Sequence, residues 1–169
     1  MDLKGIFLRY ALIILSGIFM SVFYTVFLPL TLYPVYILLS IFYQVSLSGS
    51  IITAGSEQIS IIEACVAGSA YFLLFALNLA LPGLKFGKRA LMLIFGFSVF
   101  LILNILRIFF LSVLLINQSS AFNTAHQILW YAVSILLVIL IWVATIRLFR
   151  IKQTPFLSDF KRLYYIIQK

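Results

Sequence analysis

Long apolar runs, broken by short polar or proline-containing stretches, dominate the chain. They cover about residues 6–28, 32–47, 64–81, 90–116 and 127–147. A helix rises about 1.5 Å per residue, so roughly 20 apolar residues cross a hydrocarbon core of about 30 Å. Lipid offers no partner to backbone N–H and C=O groups, so such runs are expected as helices. The expected fold is an all-α, polytopic transmembrane helix bundle of about five spans, a single integral membrane domain over residues 1–169. The breaks have readable causes. Pro29 and Pro34 in "PLTLYP" separate the first two runs, because proline removes an amide donor and disfavours helix before it. The second run is short for a span unless its proline-containing lead-in is also buried. Ahead of the third run, "SGSIITAGSEQISIIEA" places β-branched residues on both sides of Gly55-Ser56-Glu57. This predicts a short β-like hairpin outside the membrane. Residues 148–169 are basic and partly amphipathic, as expected of a tail on the membrane surface. The N-terminal run is too long for a signal-peptide core and no small-residue cleavage site follows, so it is expected to be retained.

Composition narrows the function classes. Hydrophobic residues make up 64% of the chain and charged residues 9%, with a net charge of +8. The charges sit at the ends of apolar runs, so they read as topology signals and lipid-headgroup contacts, not as a nucleic-acid footprint. One cysteine excludes an internal disulfide, and one histidine with one cysteine excludes a Cys/His metal site, so no metal or cofactor is expected. Lys85, Lys88 and Arg89, together with Arg147, Arg150 and Lys152, place two ends inside. The loops before Cys65 and around His126 lack Lys and Arg and belong outside. Two crossings by the first two runs put the N-terminus outside, although Lys4 and Arg9 favour the inside; the alternative is that one of the two runs is re-entrant.

Counting along the helices then brings three residues to one depth. Arg107 lies 18 residues beyond Arg89, roughly 27 Å from the inner face. Cys65 lies 17 residues before Pro82, roughly 26 Å up, and His126 lies 21 before Arg147, roughly 32 Å up. An ionisable side chain inside a span costs about 2.5–3.5 kcal/mol on insertion scales and marks a candidate site. Arg107 could instead snorkel to outer headgroups, but Asn104 one turn earlier shares its face. Taken singly, His126 could be a solvated or capping residue and Cys65 a small apolar filler. Ala64 and Gly68 form a small-xxx-small pair that also serves helix packing. The shared depth is what favours a site.

The chemistry of such a site is coherent. An imidazole can take the proton of a thiol, and a guanidinium can favour the thiolate or stabilise a tetrahedral oxyanion. Acyl transfer through a thioester follows. Glu63 points to nearly the opposite helix face from Cys65 and reads as a helix-start carboxylate. Asn123 is a candidate to orient His126.

Three segments in order carry a family resemblance: "EACVAGSAYFLL" with its Ala-Cys pair, "LNILRIFFL" with Asn-x-x-Arg, and "AHQILWY" with its histidine. Over about residues 48–145 the chain resembles the exosortase/archaeosortase membrane cysteine transpeptidases. Many members have Ser-Gly directly after the cysteine. Here Val66-Ala67-Gly68-Ser69 stands instead, resembling the small archaeal subgroup called pacearchaeosortases. The resemblance implies that Cys65 attacks a peptide bond, that Arg107 assists and that His126 is acid and base. Asn104, Gly68, Ser69 and Asn123 are the expected supporting residues. It also implies surface-protein substrates ending in a short motif, a transmembrane helix and a basic cluster. The acyl group would pass to a surface acceptor such as a membrane lipid, at the outer face of the cell membrane. Two other readings use the same residues. One is a membrane-edge cysteine protease that transfers the acyl group to water. The other is a small carrier or assembly subunit in which Arg107 binds an anionic ligand; it predicts a site near the midplane and an innocuous Cys65→Ala.

Overall fold

The structure, a computed structural model, describes residues 3–18 and 20–151. It is mostly helical. Helices α1 (Leu3–Ile18) and α2 (Met20–Phe42) lead into a three-stranded antiparallel meander, β1 (Val45–Ser48), β2 (Ile51–Ala54) and β3 (Glu57–Ser60). A four-residue helix α3 (Glu63–Val66) and α4 (Gly68–Ala80) follow, then α5 (Phe86–Ile116). Helices α6 (Phe122–Ile128) and α7 (Ser134–Leu148) are joined by a π-helical turn over Leu129–Val133. Three helical stretches are long and apolar enough to cross a membrane: Met20–Phe42, Phe86–Ile116 and Phe122–Leu148. Apolar helices Phe7–Ile18 and Gly68–Ala80 are shorter. Most of the expected surface tail, residues 152–169, lies outside the described residues.

The first two helices differ from expectation. The chain does not break at the prolines: Pro29 and Pro34 both lie inside α2. Each proline forfeits one ladder bond. Packing offsets this loss, because Phe27, Thr31, Leu32, Val35 and Leu39 are buried on either side of them. Nor do α1 and α2 form an antiparallel pair. Arg9 of α1 donates to the carbonyl of Ala80 at 3.0 Å, and Gly17 lies against the Phe72 ring. Phe23 of α2 meets Phe72, Phe75 and Phe97, while Phe42 meets Phe109 and the Tyr43 hydroxyl accepts from Asn117 at 3.2 Å. Both helices therefore ascend together, from the end that holds Arg89 to the end that holds the sheet.

The meander also exceeds the expected hairpin. β1 takes Val45 and Leu47, which hydropathy assigns to the end of the second run, and pairs them with Ala54 and Ile52. Turns at Gly49 and Gly55, both with φ of +60°, permit the two reversals. Ile52, Ala54 and Ile59 are buried, so the sheet lays one apolar face on the bundle.

In the bundle core, α5 packs on α2, α4 and α7. Its buried positions Met92, Gly96, Phe100, Asn104, Ile108 and Ser112 recur every fourth residue, as one helix stripe must. Tyr71 stacks on Phe27 with centroids 3.5 Å apart and meets Phe97 and Phe100 edge-on. This aromatic layer sits directly beneath the segment that carries Cys65.

Candidate active site

The third apolar run is not one straight helix. After Val66 the backbone turns through Ala67 in the left-handed region, at φ 56° and ψ 45°, and restarts at Gly68. An alanine there costs roughly 1 kcal/mol, so surrounding contacts must hold it. Two do. The Asn104 amide donates to the carbonyls of Cys65 at 2.9 Å and Val66 at 3.4 Å, carbonyls the kink leaves without a helical partner. On the other side the Tyr24 ring lies so close to Gly68 that an added Cβ would sit 2.7 Å from it. The kink thus sets Cys65, half-buried, at the mouth of the run.

The remaining walls come from α5 and from the α6–α7 helix. Arg107, Leu111 and Leu115 recur every fourth residue on α5, and Phe122, His126 and Trp130 do the same on the partner helix. With Gln58 to Ile62 of the sheet and Cys65, they enclose a cavity of about 240 Å³. Cys65, Arg107 and His126 all line it. The Arg107 guanidinium lies near enough to the Cys65 thiol to interact with it electrostatically. The His126 ring stacks between neighbours on its own helix, 5.6 Å from the Phe122 centroid and edge-on to Trp130 at 5.7 Å.

Arg107 is held by a residue the sequence reading passed over. Its Nη1 donates to the Ser134 hydroxyl at 2.6 Å, and that hydroxyl donates in turn to the carbonyl of Leu129 at 2.9 Å. Leu129 opens the π-helical turn that joins α6 to α7. The signal was present: Ser134 stands eight residues beyond His126 and continues the Phe122, His126, Trp130 spacing with a second polar residue. Ser112 was missed as well; it is buried on α5 and lines the cavity. Arg107 Nε and Asn104 Oδ1 are buried and lack hydrogen-bond partners among the described residues. Buried polar atoms left so are costly, and Thr31 Oγ1, the Tyr71 hydroxyl and Asn78 Oδ1 share that condition elsewhere in the bundle.

The expected supporting residues divide. Asn104 braces the Cys65 turn, and Gly68 makes room for Tyr24. Ser69 and Asn123 are exposed and take no part in the cavity wall. Phe122, one full turn before His126, packs on the imidazole in the place assigned to Asn123. Glu63 is exposed in the first turn of α3, away from the cavity. Among the described residues no group of three or more His, Cys, Asp or Glu side chains gathers as a metal site would require.

Comparison with protein-family models, with curated proteins and with solved structures finds no match.

Proposed function

We propose that the chain is a membrane-embedded cysteine transpeptidase that acts on the membrane-proximal segment of surface proteins. One observation carries this reading: a thiol, an imidazole and a guanidinium from three separate segments line a single cavity of about 240 Å³. In the proposed reaction His126 takes the thiol proton and Cys65 Sγ attacks the scissile carbonyl carbon. Arg107, fixed by Ser134, stabilises the oxyanion. The C–N bond breaks, His126 protonates the leaving amine, and a thioester remains on Cys65. An acceptor amine or hydroxyl then attacks the thioester and releases the thiol. The resemblance to exosortases and archaeosortases supports the same assignment of roles, and it is the support for a lipid or another surface acceptor.

Charge placement supports the orientation. Arg9, Lys85, Lys88, Arg89, Arg147 and Arg150 belong to one end of the bundle, while Arg107 is the only Lys or Arg at the cavity end among the described residues. With α1 and α2 ascending together, the N-terminus falls at the basic end, and Lys4 and Arg9 no longer oppose the positive-inside rule. In this reading the chain is multi-pass, the sheet and cavity lie on the outer side, and a substrate's anchor helix ends near Cys65.

The test is capture of the intermediate. Full-length protein in native-host membranes is expected to carry an acyl group on Cys65, released by hydroxylamine and detected by mass spectrometry. Cys65→Ser should lack the hydroxylamine-labile adduct and Cys65→Ala should lose processing altogether. Normal processing by Cys65→Ala would sink the reading and leave the carrier in front. Release of the acyl group as a free acid, with no acceptor adduct, would make the enzyme a protease.

A further inference from the structure

The sheet has one edge without a strand partner beside the cavity. The strand order is β1-β2-β3, so β3 is paired with β2 alone. Ile61 N–H donates to the Ser50 carbonyl at 2.9 Å, and the register pairs Ile59 with Ile52 and Glu57 with Ala54. In an antiparallel ladder, residues of this parity turn both N–H and C=O toward the partner strand. Gln58 and Ser60, the alternate residues, therefore turn theirs away from β2, to the free edge. The cavity wall follows that edge. Gln58, Ile59, Ser60, Ile61 and Ile62 line it consecutively. A sheet face contributes alternate side chains, whereas an edge presents residues of both parities, as Gln58, Ile59 and Ser60 of β3 do here. Three residues beyond Ile62 stands Cys65, with the Cys65 N–H bonded to the Ile62 carbonyl at 2.9 Å.

We propose that the substrate binds as an added strand. An extended, uncharged peptide segment pairs its backbone with the outward N–H and C=O groups of Gln58 and Ser60, which delivers the scissile carbonyl to Cys65. Edge strands are templates for this mode, in which main-chain bonds supply affinity with little demand on side chains. The cavity wall fits such an occupant. It is largely apolar, and its single permanent charge is Arg107, which repels basic residues and favours a carbonyl oxygen. This inference rests on the proposed role of Cys65, and it adds the substrate's conformation and its docking partner.

The test separates the two. The probe is acetyl-Ala-Ala-Ala chloromethyl ketone on the full-length protein in detergent, with chloroacetone as the same electrophile without a peptide. Alkylation forms a Cys65 Sγ–CH2 bond and expels chloride, and the chain has no other cysteine to compete. The rate ratio of peptide to chloroacetone is expected to be about tenfold or more, the worth of two backbone hydrogen bonds. N-methylation of the probe's backbone amides should bring that ratio near unity. So should Gln58→Pro or Ser60→Pro, which remove an outward N–H and leave the β2 ladder intact. A ratio unmoved by N-methylation overturns strand addition, whatever the proline variants do. Chloroacetone alkylation that is slow and indifferent to His126→Ala overturns instead the activated thiol on which the inference rests.

Discussion

Helix α5 carries one arginine in its first turn, Arg89, and one well inside its apolar stretch, Arg107, and the two are used in opposite ways. Arg89 is spent on the backbone. Its guanidinium donates to the carbonyls of Asn78, Leu79 and Leu81, while Asn78 Nδ2 returns a bond to the Arg89 carbonyl at 3.3 Å. With Arg9 on Ala80, it closes the C-terminal end of α4, where a positive charge complements the helix dipole. Among the described residues Arg107 has one hydrogen-bond partner, Ser134, and its Nε is buried without one. An arginine with its donors consumed by carbonyls is part of the frame. One anchored at a single nitrogen, with the rest of the fork beside a cavity, is available for a ligand's oxygen. Hydropathy alone sees two similar charges; the hydrogen bonds distinguish them.

That contrast can be broken by exchanging what is measured. Arg107→Ala should slow alkylation of Cys65 by about tenfold to a hundredfold, because a charge beside the developing thiolate is lost. Its unfolding midpoint should stay near that of the wild type. Arg89→Ala should reverse this: a loss of about 2–3 kcal/mol, read from thermal unfolding in detergent, with alkylation per folded molecule unchanged. Equal destabilisation by both would erase the distinction. A smaller effect is expected at the brace around the kink. Gly68→Ala drives a Cβ into the Tyr24 ring and should cost about 1–3 kcal/mol, and shortening the ring with Tyr24→Leu should recover part of it. Additive losses in the double variant would show that the two residues do not meet. Smallest, Ala67→Gly should stabilise the fold by roughly 0.5–1 kcal/mol in the same unfolding assay, since glycine adopts the left-handed conformation freely. A loss of stability there would mean that the turn is not strained.

How much of this was legible beforehand depends on which physical rule governs each residue. Helical rise varies little enough, despite the turns at Ala67 and Leu129–Val133, that counting from Arg89, Pro82 and Arg147 brings Arg107, Cys65 and His126 to one level, and all three line the same cavity. The proline rule misled, because it weighs a lost backbone bond without the packing of Phe27, Val35 and Leu39 around it. Hydropathy gave Val45 and Leu47 to a span, since an apolar edge strand and a helix end look alike at that length. The left-handed Ala67 carries no sequence mark, as alanine is among the best helix formers. The roles of Ser134 and Phe122 follow from the same four-residue spacing that places His126, and could have been read from it.

The solitary thiol has a consequence for the protein's lifetime under oxidants. A sulfenic acid formed at Cys65 has no second cysteine in this chain with which to condense. Reversal would depend on a thiol supplied from outside, and without one the sulfur proceeds to sulfinic and sulfonic acids that thiols do not reduce. The same half-buried position that would present Cys65 to the proposed substrate leaves it open to peroxide. An occupied cavity, with a peptide laid along β3, would be its shield.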